Sequence, residues 1–148
     1  MTDQSSLYAE LKPSMEAIAF PLFEFSKKCL KDRGNFLPHA AVLTAEGRIE
    51  LVGAQGTRDI TNAKEILPIL HDGLRSMAKS NPLDAIGVAE NVTITPPGQS
   101  PTKAIKVLFE HRRGLVVALY LPFEKKFLKG LVYGTTISTL AKPEIAAW

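Results

Sequence analysis

Between Thr102 and Leu121 two apolar, β-favouring runs flank the polar turn Arg112-Arg113-Gly114. That is the pattern of a β-hairpin whose glycine takes the left-handed position. Counting outward from the turn, His111 faces Leu115, Phe109 faces Val117, Val107 faces Leu119 and Ile105 faces Leu121. The other parity pairs Glu110 with Val116, Leu108 with Ala118 and Lys106 with Tyr120, so one face is wholly apolar and the other mixed. The stretch 36–52 repeats the logic. With Ala45-Glu46-Gly47 as the turn, Leu43 faces Ile49 and Ala41 faces Leu51, while Val42 with Glu50 and Ala40 with Val52 take the other side.

Helical spacing governs the segments between. Tyr8, Met15, Leu22 and Cys29 recur every seventh position, and Leu11, Ile18 and Phe25 interleave to complete one stripe. Pro13 and Pro21 fall inside it, which predicts a short first helix, another from about Pro13 with a kink or break near Pro21, and an end at Gly34. A further helix is expected after the capping pair Asn62 and Glu65, its buried stripe Ala63, Ile66, Leu67, Leu70, Leu74, Met77 and Ala78, with Pro68 outside and bending it and Gly73 weakening it. Asp84 to Thr95 alternates as a strand, and Glu90-Asn91 in its middle predicts a bulge. A turn-rich loop, Pro96 to Pro101, precedes the main hairpin. Leu131 to Ser138 reads as a last strand, and Lys142 to Trp148 as a segment that needs a docking site for its indole.

The element order α-β-β-α-β-β-β predicts an α+β domain over residues 1–148: one antiparallel sheet of five or so strands with two main helices packed on it. That order resembles the roadblock, longin and profilin-like group over most of the chain. What carries the resemblance is the order of elements, so it implies a fold and assigns no residue a role.

Composition adds limits. Eighteen basic against fifteen acidic residues give a net charge of +3, a slight lean toward anionic partners. A lone cysteine, Cys29, has no internal disulfide partner and fits a reducing compartment; on its stripe it reads as a small core hydrophobe. Met1 to Ser6 are polar, with Asp3 where a secretory signal carries positive charge, and the longest apolar run, Leu115 to Leu121, is too short to span a bilayer. The expectation is a cytoplasmic protein without a membrane partner.

Candidate chemistry is sparse. The loop from Gly53 to Asp59 joins a strand to a helix start, so the amides around Gly53, Gly56 and Thr57 offer an anion cradle to which Arg58 adds charge. No lysine follows the second glycine as a phosphate-binding P-loop requires, and a plain connector is the simpler reading. Arg112 and Arg113 at the hairpin tip form a paired guanidinium grip for a carboxylate or phosphate, or else a polar turn. His39, His71 and His111 lack zinc-site spacing, and Ser100 has no recognisable base, so no metal, cofactor or catalytic set is expected. Lysines cluster at Lys27, Lys28 and Lys31 and at Lys125, Lys126 and Lys129, with Phe123 and Phe127 the only aromatics near the second group. A nucleic-acid binder calls for more interleaved aromatics than that. The leading expectation is a non-enzymatic interaction or regulatory module, a homodimer or one bound to another protein. The alternative is a small-molecule or anion-binding domain, possibly an enzyme, that uses the Gly53–Asp59 loop with His39 or Asn91 nearby; a nucleic-acid binder comes after both.

Overall fold

The computed structural model describes residues 4–53 and 63–148. Helix α1 (Gln4–Arg33) is followed by β1 (His39–Thr44), β2 (Ile49–Gly53), α2 (Ala63–Ser80), β3 (Leu83–Ile94), β4 (Thr102–His111), β5 (Val116–Lys126), β6 (Gly130–Tyr133) and β7 (Ile137–Leu140). All seven strands join one antiparallel sheet in the order β2-β1-β3-β4-β5-β6, with β7 also beside β5. The α+β expectation holds, with more strands than the five or so foreseen.

Both hairpin registers fall where the alternation puts them: Leu43 opposite Ile49, and Phe109 opposite Val117. Gly47 and Gly114 close the two turns at φ of 88° and 95°, a conformation that a Cβ resists.

Helix α1 departs from expectation, because it runs unbroken through both prolines. Each proline removes one intrahelical bond, to the carbonyls of Ala9 and Ala17, and both alanines are exposed. Water can satisfy those carbonyls, so the helix continues while Leu7, Leu11, Met15, Ile18, Leu22 and Leu30 bury the opposite face. The stripe is centred away from Phe25, which stays largely exposed. Gly34 ends the helix at φ 76°, its N–H donating to Leu30 O at 2.9 Å.

Two further expectations are corrected. No bulge occurs at Glu90-Asn91: β3 pairs continuously with β4, and Glu90 sits opposite Lys106, their charged ends 3.8 Å apart. The polar residue that interrupts the apolar pattern is thus half of a cross-strand charge pair. The irregularity lies instead between Leu43 and Thr44, in the pairing of β1 with β3. The expected last strand is two strands. Proline at position 122 has no N–H to offer the ladder on this side of β5, although its carbonyl accepts from Gly134 N at 2.8 Å. The chain therefore pairs as β6 beyond Pro122 and as β7 before it.

The helices lie on opposite faces. The α1 face carries Ala41, Leu43, Ala85, Val107, Phe109 and Val117, all buried. At Gly87 on β3 a side chain would collide with Ile18 Cγ2 and reach Leu22 Cδ1, so glycine is what lets α1 approach the sheet here. On the other face Leu70 and Leu74 of α2 cover Ala40, Val42, Ile86 and Val88. Each helix thus covers its own side of the sheet.

Beside α2 the segment 143–148 packs on the same face, Ile145 joining the cluster of Leu74, Ile86 and Val88. Glu110, buried on β4, accepts from three successive amides: Glu144 N at 2.9 Å, Ile145 N at 2.8 Å and Ala146 N at 3.0 Å. Arg75 of α2 donates to Ile145 O at 2.7 Å, and Lys106 Nζ reaches Glu144 at 2.7 Å. Burial alone would lower the Lys106 pKa, but Glu144 and Glu90 outweigh it and raise it. The anchor is the fully buried Ile145, whereas Trp148 is 49% exposed, so the expected indole docking is corrected.

Candidate functional site

Of the residues singled out in the sequence, Gly53 ends β2, while Gly56, Thr57 and Arg58 lie outside the described residues, as does the question of whether their loop is only a connector. Arg112 and Arg113 share the hairpin tip but turn to different partners. Arg112 Nε meets Asp84 at 3.0 Å, and Arg113 forms a two-pronged pair with Glu10 of α1 at 2.7 and 3.2 Å. The Arg113 guanidinium holds the Glu10 carboxyl below its usual pKa. The two arginines therefore tie the turn to β3 and α1, and they do not form one grip. Nor are they near Gly53: Gly53 pairs with His39, which lies opposite Ala89, whereas the tip adjoins Ala85 at the other end of the β1–β3 ladder.

What the fold does gather around Gly53 is a cleft of about 480 Å³ at the C-terminal end of α1. Its apolar wall includes Phe25, Leu37, Leu51 and Ile66, and Arg33, Asn35 and His39 contribute polar groups. Among the described residues lining it there is no carboxylate, and Arg33 makes no ion pair with any described residue. Asn35 Oδ1 accepts from Phe36 N and from Asn91 Nδ2, at 2.8 and 2.7 Å, which leaves the Asn35 amide nitrogen as a donor. Asn91 Oδ1 is buried without a partner among the described residues.

His39 is held on all sides. Phe25 and Phe36 pack edge-on against its ring at 4.7 and 5.6 Å, Nδ1 lies 2.9 Å from Leu37 O, and Nε2 lies 3.3 Å from Ser26 Oγ. Burial pushes its pKa below the ordinary histidine value, against the opposing pull of the Leu37 and Leu22 carbonyls. The Ser26–His39 contact has the partners of a hydrolase pair but not the access. Ser26 is wholly buried and donates to Leu22 O at 2.8 Å, and a backbone carbonyl occupies the place of the orienting carboxylate. Sequence spacing could not have shown this pair, because Ser26 and His39 belong to different elements. Among the described residues no group of three His, Cys, Asp or Glu side chains converges on a point where a metal could sit.

A second feature lies across the sheet. Every residue of β7 is exposed, and Ala141 N donates to Val116 O at 3.0 Å, which sets the phase of the ladder. By antiparallel alternation Ile137 and Thr139 bond toward β5, so the backbone groups of Ser138 and Leu140 point outward. Between this edge and α1 runs a groove of about 470 Å³, lined by Tyr8, Met15, Ala19, Phe20 and Leu119 and flanked by Lys12 and Glu16. Phe20 is 67% exposed in it.

No family model, curated protein or solved structure matches the chain. Function has to be read from these two features. No helix among the described residues is long and apolar enough to cross a membrane.

Proposed function

We propose that the protein is a non-enzymatic interaction module that pairs with a second copy of itself through the free edge of β7. The observation that carries this reading is an exposed edge strand beside an apolar groove. Unpaired strand edges template further pairing, and among the described residues nothing covers this one with a helix, a proline or an inward-pointing charge. A second copy suits the site because the surface is self-complementary. On a two-fold axis beside β7 the two strands run antiparallel, and each copy brings the same apolar groove, with Phe20 exposed in it, to the other. The reading includes a cytoplasmic setting, supported by a single cysteine with no disulfide partner.

The expected result is a dimer of the 16.2 kDa chain in sedimentation equilibrium at micromolar concentration. Phe20→Glu, on an exposed position of α1, should give a folded monomer. A parent that sediments as a monomer, or a Phe20→Glu variant that stays dimeric, overturns the β7 interface.

The cleft beside Gly53 favours a second reading, a site for a small organic anion with an apolar body. Exposed Phe25, Leu37 and Leu51 face the body, and Arg33 and the Asn35 amide are donors for the acidic end. Titration with decanoate should shift the NMR signals of Phe25, His39 and Leu51 while leaving those of β7 in place. No shift at millimolar decanoate eliminates this class of ligand.

A further inference from the structure

The turn between β5 and β6 belongs to neither feature, and it is the most exposed apolar point on the described surface. Phe127 and Leu128 are 90% and 91% exposed, side by side at a hairpin tip. Single exposed apolar residues are common, but two large neighbours fully in water on a projecting turn are not explained by packing. The backbone adds a second observation. Lys129 N donates to Lys126 O at 3.2 Å, closing a turn in which Leu128 sits at φ 68°, a left-handed conformation that ordinarily falls to glycine or asparagine. A branched side chain is kept there against its own conformational preference. The turn demands a left-handed residue, but nothing in its packing demands a large apolar one, and a strained leucine kept where glycine would serve points to use.

Charge is the third observation. Lys125, Lys126 and Lys129 flank the apolar pair, and the one carboxylate beside them, Glu124, is taken up by Lys126 at 3.2 Å. A depression next to the tip is lined by Lys31, Lys103 and Lys125, which extends the basic field across α1, β4 and β5.

We infer that this turn docks the protein on an anionic lipid surface. Phe127 and Leu128 enter the interfacial layer, and the surrounding lysines lie against the headgroups. The pairing of an apolar wedge with a basic rim is what a peripheral membrane contact requires, since each alone binds weakly and the two add. Nucleic acid fits less well: bases stack on aromatic faces, and half of this wedge is a leucine, which offers none. Docking of this kind needs no spanning segment.

The test is co-sedimentation of the full chain with vesicles. Retention is expected on vesicles of mixed phosphatidylcholine and phosphatidylserine, to weaken as salt is raised, and to be absent on phosphatidylcholine alone. Phe127→Ser should cut retention roughly tenfold or more with the melting temperature unchanged. Leu128→Gly separates the roles of the turn: it should also lose retention, yet melt at a higher temperature than the parent because the strain is gone. Absence of binding to the mixed vesicles, or full binding by both variants, overturns the inference. If Phe127→Ser instead dissolves a dimer while neither form binds vesicles, the tip is a protein contact and the lipid assignment falls.

Discussion

Val117→Asp is expected to abolish the cooperative melting transition. Val117 is 1% exposed near the start of β5, opposite Phe109 and on the face that α1 covers. Aspartate there either stays charged without a partner or takes up a proton, and in both cases it displaces the packing of its neighbours. The cost is several kcal/mol, comparable to the whole stability of a domain this size. Circular dichroism should show no transition on heating, or one displaced far below the parent's. A variant that melts with the parent would mean that Val117 does not face the core, and the register of the central hairpin would fall with it.

Glu110→Ala carries the second-largest expected effect, and it acts through backbone. Its carboxylate is the acceptor for the amides of Glu144, Ile145 and Ala146, and Ile145 is fully buried. Removing the acceptor leaves these donors to be desolvated for nothing, at about 1–3 kcal/mol for a buried group, so the segment 143–148 should detach. Ile145 then leaves the cluster it shares with Leu74, Ile86 and Val88. Chemical denaturation should show a loss of about 3 kcal/mol or more. Hydrogen exchange at residues 144–146 should rise toward that of a free peptide. Unchanged protection at those three amides would show that Glu110 is not what holds them.

What could be read from the sequence and what could not divide along a physical line. The two hairpins were legible because period-two alternation and a glycine turn are local signals, and registers such as Phe109 with Val117 follow by counting from Gly114. The errors came where a local rule met a non-local one. Pro13 and Pro21 break helices by rule, yet the carbonyls they orphan belong to exposed alanines, and tertiary burial of the opposite stripe decides the matter. Glu90 looked like a break in a strand because its partner Lys106 is on another strand. Trp148 drew attention as the large apolar residue in the segment 143–148, but the anchor is Ile145, which depends on a carboxylate some thirty-five positions earlier. Arg112 and Arg113, adjacent in sequence, are drawn apart by Asp84 and Glu10. The His39 and Arg33 cleft, the β7 edge and the Phe127–Leu128 tip each need three-dimensional placement before they mean anything.

The sheet order distributes loop-closure entropy unevenly along the chain. The ladders from β3 to β4 and from β4 to β5 each close a short connection, whereas Leu43 of β1 meets Ala85 of β3 from about forty positions away. Closure cost grows with the logarithm of loop length, so the β1–β3 junction carries roughly 2 kcal/mol more than a tight turn does. Connectivity alone favours a three-stranded meander, β3 to β5, over its union with the β1–β2 hairpin. Both helices pack across that junction, α1 over Ala41 and Ala85 and α2 over Val42 and Ile86. Apolar burial on both faces thus bridges the joint where chain topology opposes assembly most.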